Sequence, residues 1–256
     1  MRADQLLVER GLAASRSQAQ RLIAAGVLWR HGGEWRTVAK NGDELPTVAE
    51  LRLQDTAESR YVSRGGLKLE GALRDSGLEP SGMRCLDVGQ STGGFTDCLL
   101  QKGAAWVLGV DVGQRQLHAS LLQNPRVQAL EKVNARELSR ERLQEAGVPP
   151  QQLEQGFDLV VGDLSFISLT LVLPAVAPLL APHGQLLMLV KPQFELQPGQ
   201  IGKGGVVRDA ALYPLVEQRI HSCCEALGLT VRGWFDSSIA GGDGNREFFV
   251  WAAKAA

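Results

Sequence analysis

The sequence predicts an α/β fold built on a mostly parallel sheet that helices cover on both faces. From residue 83 onward, short apolar strands alternate with helical segments, an alternation typical of parallel sheets. These strands are predicted at residues 83–88, 106–110, 127–132, 159–161 and 186–190. Two further apolar runs, 229–235 and 248–252, flank a glycine-rich turn at 241–245. Because so short a connection favours antiparallel pairing, the sheet is predicted to end in an antiparallel hairpin.

Residues 1–60 predict a separate, small α+β unit ahead of this sheet. Leu6 and Leu7 form the apolar face of a first helix, and a second helix begins at the capping-box pattern of residues 15–18. Gly26 is suited to end that helix, and residues 41–43 (Asn-Gly-Asp) predict a hairpin-type turn. The side chains of the first helix expected in solvent are Arg2, Asp4, Glu9 and Arg10. We therefore predict two domains, at residues 1–60 and 61–256.

The overall charge gives no whole-chain signature of nucleic-acid binding. The 256 residues are 44% hydrophobic and carry a formal net charge of −1, so any basic surface must be local. Arginines outnumber acidic residues near the N-terminus, and a basic helix face of this kind can hold phosphates, although arginines on helices more often form only a solvated surface. The candidate phosphate contacts are Arg2, Arg10, Arg16 and Arg21. The alternative is an ordinary solvated surface.

An uncharged stretch at residues 164–190 exceeds the roughly 20 residues that a membrane-spanning helix needs. Pro174 and Pro178 interrupt this stretch, and residues 183–185 (His-Gly-Gln) indicate a turn. We interpret it as a buried helix followed by a buried strand, and we expect no membrane partner.

Cysteine and histidine spacing predicts neither a metal site nor a disulfide framework. The charged N-terminus does not resemble a secretory signal, so a cytoplasmic protein with reduced thiols is expected. The histidines are scattered without ligand spacing, and no metal is predicted. The cysteines, none in a C-x-x-C pattern, are Cys85, Cys98, Cys223 and Cys224.

A glycine-rich loop follows the first predicted strand of the sheet, at residues 87–95 (DVGQSTGGF). Glycines at such a strand-to-helix turn let the backbone approach a ligand closely. The next strand ends in Asp111, where a carboxylate can accept both hydroxyls of a ribose. Together these features predict a site for a nucleoside-containing cofactor, with a plain tight turn as the alternative. The glycine spacing differs from G-x-G-x-x-G, which disfavours a nicotinamide.

Four charged residues are placed where they can meet near this loop. Lys68 precedes the first strand, Asp163 and Lys191 close two later parallel strands, and Glu247 begins the last strand. Ligand crevices of open α/β sheets lie outside the carboxyl ends of the strands, so Asp163 and Lys191 should open on the crevice of the glycine loop. The alternative is a structural salt bridge at the sheet edge.

In these motifs the chain resembles the TlyA (haemolysin A) family of ribosomal-RNA 2′-O-methyltransferases, whose catalytic domain is similar to the FtsJ type. The resemblance implies a Rossmann-like domain that depends on S-adenosyl-L-methionine (SAM). The first 60 residues resemble the RNA-binding domain of ribosomal protein S-four, through RADQLLVERGLAASRSQAQRLIAAG. The stretches that carry the catalytic resemblance are VSRGGLKL, LDVGQSTGGFTD, GVDVG, FDLVVGDLSFISL, LVKPQFE, GKGGVVRD and GNREF.

The resemblance also implies roles for particular residues. The family's catalytic tetrad falls on Lys68, Asp163, Lys191 and Glu247. The SAM-binding positions fall on Asp87, Gly89, Ser91, Thr92, Gly93, Gly94, Phe95, Asp111 and, at the adenine, Asn134. The N-terminal arginines 2, 10, 16 and 21 become RNA contacts. Two residues depart from the family pattern. Gln90 replaces a small residue and could crowd the methionine end of SAM, and Ser238 replaces a proline before Glu247.

The implied reaction is attack of a ribose 2′-oxygen on the sulfonium methyl group of SAM, with no metal required. A 2′-hydroxyl is a poor nucleophile at neutral pH, so Lys191 is predicted as base or oxyanion stabiliser, oriented by Asp163. Lys68 and Glu247 would position the ribose. The implied substrate is a cytidine of ribosomal RNA within ribosomal subunits.

Three other functions compete with this interpretation. A non-catalytic RNA-binding or ribosome-assembly protein would bind RNA without methyl transfer, which titration with SAM and a methyl-transfer assay would test. A membrane-active haemolysin is suggested only by the family's historical name, and a liposome-leakage assay would test it. A nicotinamide oxidoreductase is disfavoured by the glycine spacing and the terminal hairpin.

Overall fold

The computed structural model describes residues 1–13, 15–54 and 60–254. It divides into two compact units, Met1–Leu67 and Lys68–Ala256. We call the first the N-terminal unit and the second, after the function expected from its sequence motifs, the catalytic unit. The division between units falls a few residues after the predicted boundary at 60/61. The assignment of separate functions to residues 1–60 and 61–256 stays a prediction.

The N-terminal unit packs two helices on a three-stranded antiparallel sheet of strand order β2-β1-β3. Its core contains the fully buried Leu6 and Leu7, as predicted. The hydroxyl oxygen of Ser15 accepts from the Gln18 N–H at 3.2 Å, so the predicted cap of the second helix is confirmed. Its elements are α1 (Ala3–Glu9), α2 (Arg16–Gly26), β1 (Val27–Arg30), β2 (Arg36–Thr37) and β3 (Glu50–Leu53).

The prediction that Asp4 is solvated is wrong. Its side chain is completely buried because it is the shared acceptor for three side chains. Arg2 donates to both carboxylate oxygens at 3.0 and 3.1 Å, Arg16 donates at 3.0 Å, and Gln20 at 3.3 Å. Hydrogen bonds from Arg2, with smaller contributions from Arg16 and Gln20, outweigh the cost of burial and hold the pKa of Asp4 well below its usual range.

The turn predicted at residues 41–43 is present, with the Asp43 N–H donating to the Lys40 carbonyl at 3.0 Å. The strands β2 and β3 on either side of it do not pair with each other, so the prediction of a hairpin is wrong. The backbone carbonyls of this turn receive the first N–H groups of α1: Ala3 donates to Asp43 at 2.8 Å and Asp4 donates to Asn41 at 3.0 Å. The Asp43 carboxylate accepts from the N–H groups of Ala39 and Lys40. Because these groups satisfy the helix start and the turn itself, they are not available for a strand ladder.

The catalytic unit contains a seven-stranded sheet in the order β6-β5-β4-β7-β8-β10-β9. Strands β6, β5, β4, β7 and β8 pair in parallel, and β10 is antiparallel to both β8 and β9. This confirms the predicted parallel sheet with a terminal antiparallel pair. Its strands are β4 (Arg84–Val88), β5 (Trp106–Asp111), β6 (Val127–Glu131), β7 (Phe157–Gly162), β8 (Leu180–Val190), β9 (Leu229–Asp236) and β10 (Phe248–Lys254).

Helices of very different lengths connect these strands. The 12-residue α3 precedes the sheet, and the 14-residue α10 carries the chain from the β8 side to β9. The helices are α3 (Gly65–Ser76), α4 (Gly94–Gln101), α5 (Ala119–Leu122), α6 (Arg140–Glu145), α7 (Pro150–Leu153), α8 (Leu173–Val176), α9 (Pro192–Glu195) and α10 (Tyr213–Ala226).

The turn predicted at residues 183–185 lies within β8. Phe157 of β7 pairs with Leu180 and Leu159 pairs with Gln185, so β8 has several extra residues opposite one residue of β7. His183 takes a positive φ of 61° inside this irregularity. A break of this kind in a strand gives the same local sequence pattern as a turn. The expected buried helix is the single turn α8. In the described ranges, no helix combines the length and apolarity needed to span a membrane.

Asp4→Asn is expected to destabilise the N-terminal unit by about 1–3 kcal/mol, since it leaves partly buried donors without their charged acceptor. Folding lowers the pKa of Asp4 from an unfolded value of about 3.9. The stabilisation is therefore complete above that pH and is lost as the pH falls through the folded pKa. Hydrogen exchange of the α1 and α2 amides in the full chain, read by mass spectrometry, measures the effect.

Glu9→Gln is the matched control, because Glu9 is an exposed acid on the same helix. Equal exchange rates in the two variants would contradict the role given to Asp4.

Candidate active site

Four elements bring the predicted charged residues together at one end of the catalytic unit. Lys68 lies in the first turns of α3, Asp163 directly follows β7, Lys191 directly follows β8, and Glu247 directly precedes β10. Because β10 runs antiparallel to β8 and pairs Phe248 with Val190, the start of β10 lies beside the end of β8. The terminal antiparallel strand thereby brings Glu247 next to Lys191 in the sheet.

The four side chains form a continuous chain of alternating charge. The Nζ of Lys191 lies 2.5 Å from Oδ1 of Asp163, and Oδ2 of Asp163 lies 4.0 Å from Nζ of Lys68. Lys68 donates in turn to Oε2 of Glu247 at 2.5 Å. We refer to these residues as the tetrad. The four predicted members are therefore connected by three successive ion pairs.

The tetrad is more buried at one end than at the other. The side chains of Glu247 and Lys68 are 3% and 10% exposed, whereas Asp163 keeps 24% of its side-chain surface. Charges in such an environment are stable only when they are paired. The side chain of Lys191 is 11% exposed, so a substrate reaches the tetrad through Asp163, its most exposed member, and the adjoining Lys191.

Neighbouring groups fix the orientation of the accessible pair. Lys191 also donates to the hydroxyl of Ser165 at 2.9 Å, and the Asp163 N–H donates to the Val88 carbonyl at 3.1 Å. Ser238, the departure from the family pattern, lies against Gly71 of α3. A Cβ at Gly71 would come within 2.7 Å of the Ser238 side chain, so glycine allows this loop to approach the helix that carries Lys68.

The glycine-rich loop lies directly against the tetrad. Gly89 has a φ of +84°, and a Cβ there would lie 2.6 Å from the backbone carbonyl of Asp163. Both the backbone conformation and the close approach therefore require glycine. Gly93, with a φ of +95°, ends the loop and caps α4.

Asp111 organises the outer side of this loop. Its carboxylate accepts from the Ser91 N–H and from the Gly113 N–H, both at 2.7 Å. The side chain remains partly exposed at the carboxyl end of β5. A carboxylate has lone pairs beyond the two used here, so it can still accept from ribose hydroxyls.

Asp87 and Gln90 point into the protein. Thr96 donates to Asp87 at 2.7 Å and receives a hydrogen bond from Gln90 at 2.8 Å. Burial raises the pKa of Asp87 to about 7, and its Oδ1 has no hydrogen-bond partner in the described part of the chain. Gln90 packs against Gly109, where a Cβ would lie 2.0 Å from the amide. The long side chain that could crowd a ligand is thus accommodated beneath the loop.

Two other predicted cofactor residues have structural contacts. The ring of Phe95 is buried and stacks on Phe249 with centroids 6.1 Å apart. The side chain of Asn134 is exposed and caps a short 3₁₀ turn by accepting from the Arg136 N–H at 3.1 Å. Ligand contacts by Asp87, Phe95 and Asn134 stay predictions.

Several buried polar residues fix the segments next to the tetrad, and no role for them was predicted. Glu195 of α9 accepts from the Ser168 hydroxyl at 2.5 Å and the Leu169 N–H at 2.7 Å, which fixes the segment after Asp163. Asn245 is buried between two loops next to Glu247. Both lie in the quoted motifs (KPQFE and GNREF), but spacing alone could not show their partners.

Phe166 also received no role from the sequence. It is 90% exposed, has a φ of +64°, and contacts Phe194 with ring centroids 5.1 Å apart. A bulky residue with positive φ is an uncommon conformation, and such strain concentrates at functional sites. The ring is therefore displayed to solvent three residues after Asp163.

Comparisons with known proteins agree with this geometry. Residues 61–254 match the family described as FtsJ-like methyltransferase. A 16S/23S rRNA (cytidine-2′-O)-methyltransferase TlyA from Mycobacterium tuberculosis is 42% identical, over 98% of this chain and 88% of its own length. Hemolysin A from Brachyspira hyodysenteriae is 35% identical, over 98% of both chains. A solved structure from Streptococcus thermophilus, described as a candidate hemolysin, is 40% identical with a TM-score of 0.72, covering 100% of this chain and 88% of that one. This chain belongs to the TlyA family of FtsJ-like methyltransferases.

Proposed function

We propose that this protein transfers the methyl group of SAM to the 2′-hydroxyl of a cytidine in ribosomal RNA. The observation that carries the proposal is the contact between the assembled tetrad and the glycine-rich loop, through Gly89 and Asp163. Relatives that match 98% and 86% of this chain carry the name rRNA (cytidine-2′-O)-methyltransferase. The match to FtsJ-like methyltransferases covers the whole tetrad.

The residues around the loop fit SAM. Gly89 lets the backbone of the loop pack directly against Asp163, and the partly exposed Asp111 carboxylate suits the two ribose hydroxyls of a nucleoside. SAM supplies an electrophilic methyl group bonded to a sulfonium. The residues proposed to hold it are Gly89, Ser91, Thr92, Gly93, Gly94 and Asp111, with Asn134 near the adenine and Asp87 and Phe95 supporting the loop from inside.

Lys191 is the proposed catalytic group at the 2′-oxygen. An ammonium has three N–H donors, and the contacts with Asp163 and Ser165 leave one for a substrate oxygen. Lys191 can thereby stabilise the negative charge that develops on the oxygen as its proton leaves. In its neutral form the same amine could accept that proton, so the two roles differ in whether the lysine must lose its charge.

The rest of the tetrad holds this group in place. Asp163 faces Lys191 with one oxygen and Lys68 with the other, so Lys68 limits the movement of the carboxylate. Glu247 compensates the charge of Lys68. Fixing the reacting groups in line can contribute about 7–11 kcal/mol to lowering a barrier. We therefore assign Lys68 and Glu247 the positioning of Asp163 and of the ribose.

RNA binding is proposed for the N-terminal unit. The exposed Arg10 donates to the Thr47 carbonyl at 2.6 Å, and Arg21 donates to the carbonyl and hydroxyl oxygens of Ser17. The Thr47 carbonyl is a neutral acceptor, so it does not cancel the charge that Arg10 offers to a phosphate. Arg2 and Arg16 form ion pairs with Asp4, so less of their charge is available for phosphate binding. The proposed partner is rRNA within ribosomal subunits, which places the protein in the cytoplasm.

A second function, RNA binding without catalysis, would leave the tetrad without a purpose. Burying two lysines and two acids is costly compared with an apolar core, and a protein that only binds RNA does not need this arrangement. The contacts among the four side chains therefore favour an enzyme. Methyl transfer by the wild-type protein is the observation that separates the two functions.

Lys191→Ala is expected to lower kcat for methyl transfer by at least about 100-fold, because a positioned proton-transfer or charge-stabilising group contributes 10²–10⁴-fold. SAM affinity should stay unchanged. Lys191→Arg distinguishes the two roles, since arginine keeps the positive charge but cannot act as a base. The measurement is transfer of a labelled methyl group to rRNA, with SAM binding followed by calorimetry.

Lys102→Ala is the matched control, because Lys102 directly follows α4, at the end opposite to the cofactor loop, and forms a 3.8 Å ion pair with Glu70. Full turnover by Lys191→Ala would remove this lysine from the mechanism.

Asp111→Ala is expected to weaken SAM binding by about 10- to 100-fold, the loss expected for hydrogen bonds to a charged group. Asp158→Ala is its control. Asp158 also accepts a backbone N–H, from Arg84 at 2.8 Å, but at the opposite end of the sheet. Calorimetric titration with SAM should separate the two variants, and equal affinities would exclude Asp111 from the cofactor site.

A further inference from the structure

We propose that the loop of residues 202–208 binds the phosphate backbone of the substrate RNA beside the reacting ribose, through Lys203 and Arg208. This inference rests on the proposed function and adds a subsite to it. The sequence motif GKGGVVRD contains this loop, and neither the tetrad nor the cofactor loop uses it.

The loop makes a tight turn, and the glycines at its tip leave the backbone uncovered by side chains. Gly202 donates to the Val206 carbonyl at 2.9 Å, and Gly205 donates to the Gly202 carbonyl at 3.1 Å. Gly204 and Gly205 have φ values of +83° and +80°, and a Cβ at either position would meet no atom within 4 Å. Such a tip lets another backbone approach closely.

Its two cations, Lys203 and Arg208, are exposed to solvent. Across the described ranges, neither takes part in an ion pair or side-chain hydrogen bond. In contrast, Arg2 and Arg16 of the N-terminal unit are joined to Asp4. The adjacent Asp209 uses its carboxylate to accept from the Ala211 N–H at 2.9 Å. The charge on the loop is therefore available to a ligand.

A buried asparagine fixes the loop to the catalytic unit. The side chain of Asn245 donates to the Gly205 carbonyl at 3.0 Å and accepts from the Val207 N–H at 2.9 Å. It also donates to Asp243 at 2.8 Å. Asn245 is only 1% exposed, so these bonds are shielded from water and hold the loop firmly.

The same network links the loop to the tetrad. Asn245 lies two residues before Glu247, a span of at most about 7 Å. Gln193, two residues after Lys191, donates to Asp243 at 3.0 Å. Burial opposes the charge of Asp243, but hydrogen bonds from Asn245 and Gln193 outweigh it and lower its pKa. The cationic loop is thus attached beside both ends of the tetrad.

An RNA strand is the ligand that matches this arrangement. A ribose held at the tetrad is flanked by phosphates on both sides, and cationic side chains near it meet the backbone and not the base. Lysine binds phosphate as a point charge, and arginine can bind it through two parallel N–H groups. The subsite would contribute affinity and register without sequence preference.

The test is the double variant Lys203→Ala/Arg208→Ala, assayed with ribosomal subunits purified from cells that lack this protein. We expect KM for the subunits to rise about tenfold, while kcat and SAM affinity stay unchanged. The slope of log affinity against log salt concentration should fall by about 2, or about 1 for each lost phosphate contact.

Lys102→Ala/Arg232→Ala is the control, since it removes the same charge from other exposed positions of the catalytic unit. A double variant that matches this control in KM and salt slope overturns the inference, as does a fall in kcat with KM unchanged. Absence of methyl transfer by the wild-type protein would instead refute the proposed function.

Asn245→Ala tests the attachment, because both cations remain while the loop loses its anchor. We expect the slope of log affinity against log salt concentration to fall. Adding Asn245→Ala to the double variant Lys203→Ala/Arg208→Ala should not lower the slope below that of the double variant. Asn245→Asp, which keeps the acceptor for Val207 but loses both amide donations, serves if the alanine variant does not fold. An unchanged slope in a folded anchor variant, confirmed by normal SAM affinity, would contradict the role of Asn245.

Discussion

The structure of the catalytic unit depends on pairing four charged side chains in a mostly buried place. Lys68 and Glu247 come from opposite ends of the unit's sequence, and each is tolerated inside because the other is 2.5 Å away. Asp163 joins this pair to Lys191, so that one carboxylate faces two cations. Removing any one member leaves an unpaired charge, which is far more costly than losing a surface ion pair. The arrangement requires a helix and three strands to meet at one edge of the sheet.

The cofactor loop depends on the same edge. Because Gly89 approaches the Asp163 carbonyl so closely, the loop proposed to hold SAM and the residue proposed to orient Lys191 share one fixed backbone contact. Beneath the loop, Asp87 and Thr96 form a buried layer that includes Gln90. Beside the tetrad, the hydrogen bonds of Asn245 and Asp243 connect this framework to the loop of residues 202–208. A methyl donor, a ribose and a phosphate could therefore be held by connected parts of one framework.

The parallel strands, the terminal antiparallel pair and the meeting of Asp163 with Lys191 were predictable from the sequence, because they follow from where apolar runs end. Asp163 and Lys191 each stand directly after a buried strand, and the carboxyl ends of parallel strands meet at one edge. Contacts between distant segments were not predictable. Asp4 has the spacing of a solvated helix residue, and only the fold brings Arg16 to it. Gln193 and Asn245 likewise gain their roles from partners that are far away in sequence, and the irregularity of β8 resembles a turn until its pairing with β7 is known.

The central claim is that the tetrad acts on a ribose hydroxyl of rRNA. The most direct measurement is mass-spectrometric mapping of methylated nucleosides in rRNA, from ribosomal subunits incubated with SAM in the presence and absence of the protein. The account predicts that the protein adds a methyl group to the ribose of one or more cytidines. Methylation confined to a base, or identical rRNA in the two samples, would contradict it.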